Sequence, residues 1–337
     1  MNAVLELTAF RGLPVWELPA AHYLLMIQAG AFALLAGCAG RAFGLDAFAG
    51  PRRWGVLSGA GLVLAAPLNL VAELLSPERF PSMLYRPHPS SPLSWGVVAI
   101  LALTGFGLAE CLLLYRAETG VSPGRPESRL IPRLSSLAAL GVVVYTAIEI
   151  GNAKGVGLWS GFWPLAALVF SGLAAGLAVS LGLTRLAGPD AALPGEAAPL
   201  PGRVLALACA LSGLALLGWG ALTARFVFAV WPEAALLPGL GVVAFLLAAV
   251  LSRGASRARF AFACALALAG AWAARVAVLS LGQAAALGRN LGEPLLTGHA
   301  GLLTALAPPA LWLCLMLAAS LALGRLPGHP ARGEARP

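Results

Sequence analysis

Apolar and polar positions alternate in long blocks along this chain. Runs of roughly twenty or more apolar residues, each long enough to cross a bilayer of about 30 Å as a helix, are separated by short polar or proline-rich breaks. The blocks fall at about 20–43, 54–75, 93–117, 130–152, 160–186, 203–230, 233–252, 257–282 and 300–324. Pro51-Arg52-Arg53, Ser122-Pro123-Gly124-Arg125-Pro126 and the stretch from Gly188 to Pro201 are clear breaks, because proline and glycine end helices. The pattern predicts an all-α integral membrane protein of about nine transmembrane helices. It forms one membrane domain over residues 1–337, with a short tail from 325 to 337. No connection exceeds about 20 residues, which leaves no room for a soluble catalytic domain.

Composition supports this reading. The 337 residues are 59% hydrophobic and 11% charged, against about 25% charged in soluble domains. The net charge of +8 is almost wholly arginine, Lys154 being the one lysine. On a soluble protein such a charge would suggest nucleic acid, but here the arginines sit between apolar blocks and set topology. Fifteen of the 22 basic residues, among them Arg41, Arg52, Arg53, Arg116, Arg133, Arg185, Arg253 and Arg325, fall in the loops after blocks one, three, five and seven and in the tail. The positive-inside rule then puts the C-terminus in the cytoplasm and the N-terminus outside. The five cysteines lie singly inside apolar blocks, with no C-x-x-C pair. Leu35-Ala36-Gly37-Cys38 matches a lipoprotein cleavage box, but the first 20 residues lack the basic start of a signal peptide.

Polar side chains inside a membrane are costly, and each is a functional candidate. With this orientation, His22 lies near the outer end of block one and Asn69 and Glu73 near the outer end of block two. Tyr145 and Glu149 lie near that of block four, and Arg225, Arg275 and Gln283 in the outer parts of blocks six and eight. Only Glu110 lies toward the inner half. Snorkelling suits Lys154 and Arg225, and pairing of Arg275 with Glu149 or Glu73 would satisfy buried charge without a function. Gly55-x-x-x-Gly59 and Gly172-x-x-x-Gly176 permit close helix approach, but such spacings are expected by chance in so glycine-rich a chain.

One stretch carries a resemblance. Glu73-Leu74-Leu75-Ser76-Pro77-Glu78-Arg79-Phe80 is followed by Ser91-Pro92-Leu93-Ser94-Trp95-Gly96 opening the next block. This resembles the NrfD/polysulfide-reductase membrane-subunit family, which usually has Asp-Leu-Gly-Arg-Pro where this chain has Glu73 to Pro77. Trp16 to Leu25, Lys154 to Trp159 and Ala273 to Gln283 are similar to the same family. The resemblance implies that the first four helices form a bundle with a quinone pocket (menaquinone or ubiquinone) open to the outer surface. It also implies an iron–sulfur electron-transfer subunit and a molybdopterin catalytic subunit on the outer, periplasmic face of a bacterial inner membrane.

A quinone site needs hydrogen-bond donors for two carbonyl oxygens, a proton-exchanging group and apolar walls. His22, Tyr145 and Asn69 are the expected quinone-binding residues, with Glu73 or Glu149 leading protons to the outer surface. Arg275 and Arg225 are expected to pair charge near the site. Arg79, Arg86 and His88, with the loops 76–92 and 283–299, are expected to dock the iron–sulfur subunit. No haem or iron–sulfur cluster is expected in this chain: of its four histidines only His22 is clearly within a block, and a His22–His299 pair is the one haem arrangement left open. The competing classes are a secondary transporter, which usually places its site near the midplane, and a structural anchor. The orientation has a direct check: a reporter fused after Arg325 should read as cytoplasmic, and one inserted near Pro87 as outside.

Overall fold

Among the described residues there are nine helices longer than two turns and no strand. The computed structural model describes residues 16, 18–73, 82–86, 88–119, 128–153, 156–187, 200–232, 236–253, 256–288 and 306–316. The helices are α1 (Leu18–Phe43), α2 (Arg52–Glu73), α3 (Pro92–Thr119), α4 (Leu130–Gly151), α5 (Phe162–Ala187), α6 (Leu200–Val230), α7 (Leu236–Leu251), α8 (Arg257–Leu287) and α9 (Leu306–Met316). Seven of them, α1 to α6 and α8, are long and apolar enough to cross a membrane. The chain is therefore an all-α, multi-pass membrane protein. The 16 residues of α7 rise only about 24 Å, less than the hydrocarbon core. α8 runs past the expected end of its block to Leu287 and stops at Gly288, whose φ of 64° makes a left-handed cap. The first residues of the expected docking loop 283–299 are thus helical.

The first four helices close into a ring in which α1 packs on α2, α2 on α3, α3 on α4, and α4 back on α1. Helices α5 to α8 repeat that ring in the same order, and the two rings meet where α1 packs on α5 and α8 and α2 on α5. α9 lies against α2, with Trp312 Nε1 donating to the Ser58 carbonyl at 3.2 Å.

In lipid, helices gain nothing by hiding apolar side chains from one another, so close backbone approach decides their packing. The two glycine spacings have this task. A Cβ on Gly55 would lie 2.8 Å from the Ala33 oxygen and one on Gly59 2.7 Å from the Leu34 nitrogen, both on α1. A Cβ on Gly176 would lie 2.6 Å from Phe32 Cβ, also on α1. Gly37, next to the buried Cys38, meets the Val56 nitrogen at 2.7 Å in the same test, so Leu35–Cys38 is an interior part of α1 in close contact with α2. Gly59→Ala should therefore destabilise the protein by about 1–3 kcal/mol, the scale of an overpacked core. Gly141→Ala, on α4 with nothing within 4 Å, should be neutral or gain up to about 1 kcal/mol from helix propensity. Thermal unfolding in detergent compares the two.

Candidate functional site

The end of the rings at which α1 begins is called the His22 end, and the opposite one the Arg41 end. The polar residues singled out in the sequence do gather at the His22 end. They divide, however, among separate places.

The first place is a cavity of about 250 Å³ inside the first ring, lined by all four of its helices. Its walls are apolar: Val63, Pro67 and Leu70 from α2, and Leu93, Val97 and Ile100 from α3. Pro67 inside α2 has no N–H to offer the carbonyl four residues earlier, on Val63, so the helix is weakened where it borders the cavity. Three hydroxyls border this space: those of Tyr23 from α1 and Tyr145 from α4, and that of Thr104 from α3, which donates to the Ile100 carbonyl at 2.8 Å. Both tyrosines are buried, and neither hydroxyl makes a hydrogen bond of good geometry among the described residues, although the two hydroxyls lie close to each other and Tyr145 lies close to the Glu149 carboxyl. A buried hydroxyl without a well-formed hydrogen bond costs roughly 1–3 kcal/mol, so either would gain from an acceptor placed in the cavity. Glu149 stands one turn beyond Tyr145 on the same face of α4, within electrostatic reach of both tyrosines, with its Oε2 also unpartnered. Leu64 and Leu101 are exposed on the cavity's outer edge, between α2 and α3.

Gly96 explains how Tyr145 fits. A Cβ there would lie 2.2 Å from Tyr145 Cε2 and Cζ, so the glycine of Ser94-Trp95-Gly96 is a seat for the tyrosine ring. The turn before it is held by its own contacts. Trp95 Nε1 donates to the Pro89 carbonyl at 2.8 Å, and the His88 N–H donates to Ser94 Oγ at 2.9 Å. His88 and Arg86 are exposed on this turn, the Arg86 guanidinium lying over the Tyr85 ring. Arg79 lies outside the described residues, as do Lys154, His299 and the Glu73 side chain.

The second place is the seam between the rings. Arg275 on α8 is fully buried, and its described partners are all neutral. Nη1 donates to Ser171 Oγ at 2.7 Å and to the Ala271 carbonyl at 3.1 Å. Nη2 donates to Gln28 Oε1 at 2.6 Å and to the Leu168 carbonyl at 3.2 Å. Gln28 Nε2 continues the chain to Thr146 Oγ1 at 2.8 Å. The link thus runs from α8 and α5 through α1 to α4, and ends on the neighbour of Tyr145. Among the described residues this network holds Arg275 and no pairing with Glu149 occurs; the Glu73 side chain lies outside them. Gly172 leaves room for it: a Cβ would sit 2.6 Å from Gln28 Oε1.

His22 belongs to this seam. Trp272 Nε1 of α8 donates to its Nε2 at 2.8 Å, and it does not line the cavity. Consecutive helical residues point about 100° apart, so Tyr23 faces the first ring while His22 faces the second. Tyr23 is the residue that sequence reasoning passed over, although it stands beside His22. Asn69 is fully buried and holds Met26 Sδ and the Ala66 carbonyl, both at 3.4 Å. It braces α1 against α2 behind the cavity wall, with Oδ1 unpartnered. Arg225 is exposed on α6, its guanidinium 4.7 Å from the Phe226 ring centre.

Two further contacts close the second ring at the same end. Trp159 Nε1 donates to the Val278 carbonyl at 2.8 Å, within a π-helical turn at Ala277–Leu281 of α8, and Gly282 leaves space for that indole. Gln283 and the Trp16 backbone exchange two hydrogen bonds, at 2.8 and 2.9 Å. At the Arg41 end, buried Glu110 pairs with Arg41 at 3.3 Å.

These features define a multi-pass helical membrane protein with an apolar cavity and two tyrosine hydroxyls near one end of its first four-helix ring. The chain belongs to the polysulphide reductase, NrfD family, whose model matches residues 7–286. Members of this family are membrane subunits that partner with other oxidoreductase subunits. A comparison with curated proteins gave no match.

The seam makes its own prediction. Gln28→Leu deprives a fully buried cation of its closest acceptor and should cost about 1–3 kcal/mol. Gln28→Glu, which restores an acceptor and adds a countercharge, should recover most of it, as read by thermal unfolding of the two variants.

Proposed function

We propose that this chain is the quinone-reactive membrane subunit of a polysulphide-reductase-type oxidoreductase complex. In this reading it passes electrons between membrane quinone and an iron–sulfur subunit docked at the His22 end. The observation that carries the proposal is the pair of unpartnered tyrosine hydroxyls, Tyr23 and Tyr145, entering an apolar cavity of about 250 Å³. The volume is below the roughly 300–1,000 Å³ of pockets for drug-sized ligands. It suits a flat ring whose isoprenoid tail leaves between Leu64 and Leu101 into the lipid. A charged or hydrated solute, as the transporter alternative requires, would find no counter-ion on these walls.

Quinone, ubiquinone or menaquinone, supplies the two-electron, two-proton chemistry. Each tyrosine donates one hydrogen bond to a carbonyl oxygen, and the apolar walls exclude water from the ring. Glu149, one turn from Tyr145 toward the surface, accepts or returns the proton and exchanges it with water at that end. Arg275 contributes indirectly through Gln28 and Thr146, which hold α4 in register. The electron partner is an iron–sulfur subunit, with a molybdopterin subunit beyond it. It docks on the turn bearing Arg86 and His88, because electrons leave on the side where the ring is bound. The positive-inside pattern puts that side outside the cytoplasmic membrane.

The test is turnover of the assembled complex with quinol or quinone, beside turnover with a soluble electron carrier that bypasses the membrane. Tyr145→Phe and Tyr23→Phe each remove one donor, and each should lower the quinone-linked rate by roughly ten- to a hundredfold, the kinetic equivalent of about 1.4–2.8 kcal/mol. The carrier-linked rate should stay unchanged. His22→Phe removes the bond to Trp272 rather than a group on the cavity, and should have the smaller effect. Full quinone-linked turnover in both tyrosine variants would place the ring elsewhere.

A further inference from the structure

The second ring has an opening of its own between α6 and α7, the counterparts of α2 and α3. It is a groove of about 430 Å³ at the His22 end, lined by residues such as Leu216, Gly220, Ala224, Pro238, Gly239 and Val242. It differs from the first-ring cavity in what it offers a ligand. Helices α5 and α8 do not line it, so nothing corresponds to Tyr23 and Tyr145. Its one hydroxyl, Thr223, is committed to the Trp219 carbonyl at 2.9 Å. Leu217, Ala221, Gly239 and Val243 on its walls are exposed, so it faces the lipid. The occupant must be a flexible apolar chain, with any polar head outside the groove.

The head has a place. Ala221, Arg225 and Phe228 share one face of α6 by the i, i+4, i+7 rule, and Ala221 and Phe228 line the groove. Arg225 is exposed, and no carboxylate among the described residues pairs with it. Its depth also fits. The 31 residues of α6 span about 46 Å, against a hydrocarbon core of about 30 Å. The last turn or two of the helix therefore stands at headgroup level, and Arg225 lies five residues before its end at Val230.

We infer that the α6–α7 groove with Arg225 at its mouth binds an anionic phospholipid, one acyl chain filling the groove and the phosphate lying against the Arg225 guanidinium. The inference stands apart from the quinone reading, since it uses neither the first-ring cavity nor its tyrosines.

The full-length protein, extracted in detergent, is equilibrated with phosphatidylglycerol or phosphatidylcholine, and retained lipid is counted by native mass spectrometry. The wild type should retain phosphatidylglycerol with about a fivefold preference, the scale of one cation beside an anionic surface. Arg225→Gln should lose that preference and keep the basal retention of phosphatidylcholine. Ala224→Phe, which fills the groove, should lose retention of both lipids while Arg225 stays in place. Equal retention of the two lipids by the wild type would overturn the proposal. So would a preference that survives Arg225→Gln, or retention unchanged by Ala224→Phe. A cysteine placed at Ala224 that cross-links to a second copy or to a partner helix in native membranes would overturn it as well, by showing the groove covered by protein.

Discussion

The close approach of α1 to its neighbours is the constraint on which the rest depends. With no hydrophobic gain available between helices in lipid, α1 is held by contact of backbone on backbone, through Gly30, Gly37, Gly55 and Gly59 against α2 and Gly176 against α5. Those crossings fix the rotation of α1 about its own axis. Once that is fixed, Tyr23, Met26 and Gly30 face the first ring, and His22 and Gln28 face the seam. Which side chains reach the cavity is thus set by glycines that do not line it.

The buried Arg275 acts on the same scale. A fully desolvated guanidinium needs acceptors for its donors; Gln28, Ser171 and two carbonyls accept from Nη1 and Nη2 across three helices, while Nε has no partner among the described residues. The network pins the rings to each other at one depth and ends at Thr146, beside Tyr145. The cost of burying the charge is offset by neutral acceptors, with no carboxylate among those described, so Glu149 takes no part in it. The first ring then carries an opening that presents two tyrosine hydroxyls, while the corresponding opening of the second ring has only Thr223, whose hydroxyl is committed to the Trp219 carbonyl.

The all-α membrane fold and the gathering of polar groups at one end were legible in the apolar blocks, and the family in Glu73 to Gly96. The shared face of Tyr145 and Glu149 near the end of α4 was legible as well, from their i, i+4 spacing in an apolar block. Which of His22 and Tyr23 meets the cavity was not, since adjacent residues differ only by helix rotation, and rotation is set by long-range packing. The role of Gly96 was hidden for the same reason: it is the footprint of Tyr145, 49 positions away along the chain. The neutral partners of Arg275 were missed because charge alone suggested a carboxylate. Gln28, in the middle of α1, was the overlooked signal, since a buried glutamine needs a partner as much as an arginine does.

The central claim is that the tyrosine pair of the first ring receives the quinone head. The most direct measurement is a cryo-electron-microscopy structure of the intact complex in lipid with a quinone analogue bound. The account predicts the ring between α1, α2, α3 and α4, with its two oxygens within about 3.2 Å of the Tyr23 and Tyr145 hydroxyls and its tail passing out by Leu64 and Leu101. A ring found at the Arg41 end beside Glu110, or in the seam against His22 and Trp272 with the tyrosine cavity empty, would contradict it.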